Sequence, residues 1–285
     1  MAASIGEREA EAKAGAEARA YRLGLAFVLA ATVLWSLGGF FTRVVAVDAW
    51  TTLYWRGLFG FLALSIWELS SRRRRALDDL ERMGTAGWAW ALFGVIGMVS
   101  YITSVRLTTV AHNSIIWTTI PFVTAAIAFV LFRERVGGRT IAASAVALSG
   151  IVIMIGGSPG EGDVLGDILA FTMTLGGAAG IIISRRNPTM PAQATAAVAA
   201  LLSAVAALPF AAPASVSGHD LAYLFVFGVT QGTLGMSLYA IGSRHLPSSA
   251  TALVSTLEAP LGPFWVWLLL GETVSWATIG GGEWC

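Results

Sequence analysis

The sequence predicts an all-α polytopic membrane protein: ten transmembrane helices forming two inverted five-helix repeats, the tenth shorter than its counterpart. Three observations predict it. Hydrophobic residues make up 56% of the 285 positions and charged residues only 12%, about half the charge of a soluble domain. The apolar residues fall in runs of about 20, the length that crosses a hydrocarbon core. Lipid satisfies no backbone group, so such runs must be helical. Finally, Gly94–Ala142 aligns without a gap on Gly232–Gly280, an offset of 138 residues with 11 identities in 49 positions. The identities include the scarce types Met98/Met236, Tyr101/Tyr239, Arg106/Arg244 and Glu134/Glu272. Duplicated membrane helices are a mark of folds that bind a ligand between two halves.

The expected spans lie near 23–46, 51–69, 84–105, 111–132, 138–156, 166–184, 192–214, 219–243, 247–271 and 273–285. Before them, residues 1–22 form a tail that mixes Glu and Arg with Ala and reads either as a short cytoplasmic helix or as disordered. The first apolar run, Leu23–Thr42, is too long for the core of a signal peptide. The last span has 13 residues after Glu272 and ends in Gly280-Gly281-Gly282, so either the chain is truncated or that helix is partial. The single cysteine, Cys285, excludes an intrachain disulfide.

Arginine sorts the connections. Arg72, Arg73, Arg74, Arg75 and Arg82 follow span two; Arg133, Arg135 and Arg139 follow span four; Arg185 and Arg186 follow span six; Arg244 follows span eight. The opposite loops carry Glu161 and Asp163, or no charge but Asp220, with Arg43 and Arg106 as exceptions. Positive-inside then places the N-terminus in the cytoplasm. Five helices is an odd number, so the repeats, residues 23–156 and 157–285, cross in opposite senses.

Glu258 lies near the middle of span nine. An acid at that depth costs about 2.5–3.5 kcal/mol on insertion scales and faces a cavity or a partner. It reads as a site for an ammonium group or a proton; the alternative is a protonated glutamate bonded to a neighbouring helix. Arg56 in span two is a possible charge partner or carboxylate clamp, or else a snorkelling side chain. Pro121 and Pro260 sit at nearly equivalent places in the repeat and free the carbonyls of Trp117 and Thr256. They are candidate helix breaks for gating, against simple kinks. Asn113, Trp117 and Pro121 recur at spacing four, as do Gln231, Gly235 and Tyr239, so each set shares a helix face. With Trp35, Tyr101 and Ser104 these faces suggest a wet cavity; the alternative is interhelical hydrogen bonding, worth about 0.6 kcal/mol per pair. His112 reads as an interfacial residue, and Gly176-Gly177-Ala178-Ala179-Gly180 as a packing surface. No H-E-x-x-H, G-x-x-x-x-G-K-[ST] or G-x-S-x-G motif is present. The sequence therefore points to no catalytic residue, metal or cofactor, and to no nucleic-acid partner.

Trp35 with Arg43 and Arg56, Tyr101-x-x-Ser104-x-Arg106, Pro121 with Glu134 and Gly150, Arg244-x-x-Pro247, Pro260 and Leu270-Gly271-Glu272 together resemble the drug/metabolite transporter superfamily, EamA family. The chain departs from the family at Arg133-Glu134, where Gly-Glu is usual. The resemblance covers about residues 23–282. It implies ten helices, both termini inside, and export of small metabolites across the inner membrane, and the chain looks most like YddG-type amino-acid exporters. Trp35, Tyr101, Ser104, Asn113, Trp117, Gln231, Tyr239 and Glu258 are then the candidate substrate-binding residues. The partners are a small-molecule substrate and the lipid bilayer. The alternatives are an exporter of lipophilic organic cations and, from another class, a membrane scaffold or channel.

The orientation is testable by cysteine labelling. Residues near Ser71 and near Arg185 label from the cytoplasmic side, and residues near Glu161 from the outside. Same-side labelling of the Ser71 and Glu161 regions would contradict the inverted repeat.

Overall fold

The computed structural model describes residues 2–72, 76–133, 164–246, 250 and 254–271. Expected spans five and ten, and Glu134, Glu161, Asp163 and Glu272, lie outside the described residues. The described chain is helical, without strands: α1 (Ala2–Ser36), α2 (Gly38–Val44), α3 (Ala49–Arg72), α4 (Ala76–Arg82), α5 (Gly84–Leu107), α6 (Val110–Thr118), α7 (Ile120–Phe132), α8 (Val164–Arg186), α9 (Ala192–Ala207), α10 (Gly218–Gly228), α11 (Gly235–Gly242) and α12 (Glu258–Leu270). A π-helical turn, Val229–Leu234, joins α10 to α11. Five of these stretches are long and apolar enough to cross a membrane, six if the bent pair α6–α7 is one span. The 24-residue α3 is long enough, but Arg56 and Glu68 make it more polar. Ile66, Trp88, Val130, Leu131 and Trp267 are among many large apolar side chains on the outer surface, as a lipid-facing wall requires.

The tail settles as helix: α1 runs unbroken from Ala2, with the side chains of Glu11 and residues 13–19 exposed. The two ends of the bundle differ. One carries Arg72, Arg82, Arg185 and Arg186 and is called here the arginine end. The other carries Asp48, the C-terminus of α5 and the start of α8. At that end Asp48 caps α3, accepting from the amides of Trp50 (2.8 Å) and Thr51 (3.0 Å) and from the Thr51 hydroxyl (2.5 Å). Burial pushes the Asp48 carboxyl up, but these hydrogen bonds more than offset it and hold the group below its ordinary value. Further bonds tie segments together there: the Ala46 amide donates to Asp220 (3.1 Å), the Ala212 amide to the Thr51 hydroxyl (2.9 Å), and Arg106 to the Thr52 hydroxyl (3.0 Å). α5 runs towards the Asp48 end. Its repeat mate, α10–α11, starts at that end with Asp220 and finishes beside Gly24 of α1 near the arginine end, so the two run in opposite senses.

Among the described residues three spans are broken at depth, each for a local reason. α1 stops at Ser36-Leu37-Gly38-Gly39, a run in which small residues loosen the helix. Neither glycine has room for a side chain: a Cβ at Gly39 would lie 2.7 Å from Val110, and one at Gly38 would collide with the Tyr101 hydroxyl. α6 and α7 meet at Thr119 with a bend of 43°, and Pro121 occupies the first turn of α7, where a missing N–H costs least. The chain before α12 turns at Thr256–Leu257, with Pro260 in the first turn of α12. In repeat register Thr118 and Thr119 correspond to Thr256 and Leu257, so the two breaks are equivalent. The prolines thus follow the breaks as helix starters and do not mark their centres.

Small residues set the closest contacts. α5 packs most extensively on α8, where a Cβ at Gly176 would lie 2.9 Å from the Phe93 carbonyl oxygen and 3.3 Å from the Gly97 Cα. A side chain there must force backbone apart. Gly176→Val is expected to lower stability by about 1–3 kcal/mol, read as a fall in melting temperature in detergent. Gly218→Ala, at a position with nothing within 4 Å, serves as the control and leaves the transition in place. Equal melting of both variants would show that α5 and α8 are not held this closely.

Candidate functional site

Glu258 opens α12, immediately after the Thr256–Leu257 turn. A half-helix that begins at depth presents its positive dipole end there, which favours a carboxylate. The Trp117 indole, at the last turn of α6, lies within hydrogen-bonding reach of this carboxyl. The Tyr101 hydroxyl of α5 reaches Thr42 of α2 and lies within electrostatic range of both Glu258 and Arg56. The Arg56 guanidinium of α3 lies over Phe227, its Cζ 4.8 Å from the ring centroid, and Phe227 in turn stacks on Phe41 at 5.3 Å. Its Nε is buried without a hydrogen-bond partner. Phe227 is 0% exposed, so Arg56 rests on a fixed aromatic floor, a cation–π contact inside the protein. Arg56, Tyr101 and Glu258 are surrounded by protein yet each keeps accessible surface. These three side chains, a guanidinium, a carboxyl and a phenol within electrostatic range of both, make up the candidate wall of the site.

The other candidate residues divide into two groups. Trp35, Gln231 and Tyr239 form one cluster. The Trp35 indole donates to the Gln231 carbonyl (3.0 Å), its ring tilts against Tyr239 at 5.2 Å, and it abuts Gly235. The face Gln231–Gly235–Tyr239 therefore meets a single side chain. The Gln231 side chain donates to the carbonyls of Leu34 (2.7 Å) and Trp35 (2.9 Å), the groups exposed where α1 ends. Gln231 thus fastens the broken first span to the π turn of the eighth. Its Oε1 points towards Gly38, where the Tyr101 hydroxyl also lies.

Ser104 and Asn113 form the second group. They are 0% and 4% exposed, and Asn113 donates to the Ser104 hydroxyl at 2.9 Å. The structure places them in the α5–α6 contact and off the wall. The face Asn113–Trp117–Pro121 does not survive the bend at Thr119: Asn113 is buried, Trp117 approaches Glu258, and Pro121 is exposed on α7. Pro260 is exposed as well.

Sequence reading missed one polar cluster. His112, expected at the interface, is 1% exposed and faces Asp167 of α8, with Nδ1 at 3.2 and 3.3 Å from the two carboxylate oxygens. The Thr108 hydroxyl donates to the same carboxylate at 2.8 Å. Asp167 stands 55 residues from His112, outside any repeat register, so no spacing announced the pair. The only local signal is Thr109, whose hydroxyl accepts from the His112 amide and caps α6.

Among the described residues no three His, Cys, Asp or Glu side chains gather to hold a metal. No curated protein matches the chain. Eleven chains of solved structures resemble it. One, titled only as the crystal structure of a protein, has a TM-score of 0.59 over 92% of this chain and 95% of that chain, at 18% identity, which shows a shared fold. The sequence profile of the EamA-like transporter family matches twice, over residues 22–156 and 164–282. With these two segments spanning nearly the whole sequence, the chain belongs to the EamA-like transporter family.

Proposed function

We propose that this protein is a secondary-active exporter of amino acids, aromatic ones included, in the inner (plasma) membrane. In this reading it has ten spans, its N-terminus is cytoplasmic, and it works by alternating access between two inverted five-helix repeats. The observation that supports the substrate class is that Tyr101 lies within electrostatic range of both Arg56 and Glu258. A zwitterion needs one cation and one anion at a short separation. Arg56 is suited to the carboxylate, because Phe227 holds its position and its Nε has no hydrogen-bond partner within the protein. Glu258 is suited to the ammonium group. Trp35, Tyr101, Trp117 and Tyr239 supply aromatic surface for a bulky side chain. A phosphorylated substrate would call for several cations at this depth, and Arg56 is the one that the described wall offers. A lipophilic cation would meet Glu258 favourably but Arg56 unfavourably, which ranks that reading second.

The breaks fit a protein that changes state at depth. Half-helix starts at Ile120 and Glu258 are equivalent in the repeat, and such starts line ligand sites in transporters built from inverted repeats. Export follows if the site binds well when open to the cytoplasm and poorly when open to the outside.

Glu258→Gln keeps the size of the side chain and removes its charge. It is expected to fold with an unchanged melting temperature and to lose counterflow of phenylalanine in proteoliposomes by at least about tenfold, which corresponds to about 1.4 kcal/mol. Wild-type counterflow in the variant would make Glu258 a packing group. Competition by tetraphenylphosphonium but not by leucine would favour the cation exporter. Flux without saturation or exchange would favour a channel.

A further inference from the structure

We propose that α2 and α6 form a gate over the wall described above, latched to α8 by the chain Arg43–Thr108–Asp167–His112. The proposal rests on the transport reading for its purpose and on geometry for its parts. Both fragments are short, 7 and 9 residues, and each is cut from the rest of its span by a break at Leu37 or Thr119. Both pack on α12, the helix that begins with Glu258. They also touch each other through Gly39 and Val110. A pair of stubs hinged at their deep ends and in mutual contact moves as a unit more easily than either full span.

At the Asp48 end both stubs converge on Thr108. Arg43 of α2 donates to the Thr108 carbonyl at 3.1 Å. The Thr108 hydroxyl donates to Asp167, and His112 of α6 faces the same carboxylate. Asp167 is 3% exposed, and its acceptors would be left unmet in a dry site if the stubs stayed in place without these partners. Gly166 makes the approach possible: a Cβ there would lie 2.9 Å from the Thr108 nitrogen and 3.0 Å from the Leu107 carbonyl carbon. The deep end of α6 carries Trp117, which reaches Glu258, five residues from His112. At 1.5 Å per residue the latch and the wall are about 7.5 Å apart along one rigid helix. Release at His112 therefore tilts Trp117 relative to Glu258, and His112, Asp167 and Thr108 act on transport as positioning residues.

The test locks the latch. In a chain carrying Cys285→Ser, His112→Cys and Asp167→Cys are bridged by a short bis-methanethiosulfonate reagent, and phenylalanine counterflow is measured before bridging, after it, and after reduction. The expected result is slower than parental but measurable transport before bridging, because both latch residues are gone, a further loss of more than about 90% of that rate after it, and recovery of the unbridged rate on reduction. Undiminished transport by the bridged protein overturns the gate. A second measurement does not depend on the substrate. Spin labels at Ala46→Cys and Ile168→Cys report the distance between the end of α2 and α8. Asp167→Ala is expected to move the distribution to longer distances, with Asp167→Asn between it and the parent. A single distance unaffected by either substitution overturns the gate as well. If the parent shows no phenylalanine counterflow while Asp167→Ala lengthens the distance, the gate stands and the amino-acid reading falls.

Discussion

In a bilayer no water satisfies a backbone group freed by a broken helix, so every break must find its partner within the protein. The broken spans here meet this demand in two ways. At the end of α1 the carbonyls of Leu34 and Trp35 accept from the Gln231 side chain, and the Trp265 indole donates to the Ser36 hydroxyl at 2.9 Å. At Thr119 the chain closes on itself, its amide bonding to the carbonyls of Ile116 and Trp117. At the Thr256–Leu257 turn the Leu257 amide performs the same service, donating to the Val254 carbonyl at 3.1 Å. The second and third are local and equivalent in the repeat. The first is supplied from 196 residues away.

That contrast shows where the two halves part from symmetry. The break in span one has no counterpart in α8, which is continuous, and the π turn of span eight has none in α5. These irregularities face each other across Trp35 and Gln231. A π turn adds a residue to the helix circumference and re-aims the side chains that follow. Here it brings Gln231 against α1 while leaving Gly235 and Tyr239 on the same indole. A sequence that matches one family profile twice thus retains its scaffold and departs from it where polar side chains meet near the wall.

Much of the fold was legible because membrane helices obey simple bounds. Runs of apolar residues, arginine-rich connections and the 138-residue offset located the helices among the described residues, and the paired prolines pointed to the two equivalent breaks. The prolines marked them only approximately, because a proline is tolerated just after a helix start and the chain turns at the residue pairs before it. The site was legible in part. An acid in mid-span is costly enough to be conspicuous, so Glu258 and Arg56 could be read from depth alone. Ser104 and Asn113 share helix faces with wall residues, yet they spend their polar atoms on each other. Periodicity gives the face and not the partner. The His112–Asp167 pair was illegible for the same reason: its meaning lies in a contact between two helix starts that no local pattern encodes.

The account stands on the claim that Arg56 and Glu258 address one small zwitterion together. Ligand-induced stabilisation of the purified protein tests it without requiring transport. Phenylalanine, phenylalaninol and 3-phenylpropionate share one ring and differ in which charge they carry. The account predicts that phenylalanine raises the melting temperature, and that neither the amino alcohol nor the acid does so at the same concentration. Stabilisation by phenylalaninol equal to that by phenylalanine would contradict it, because a carboxylate would then have no place at Arg56.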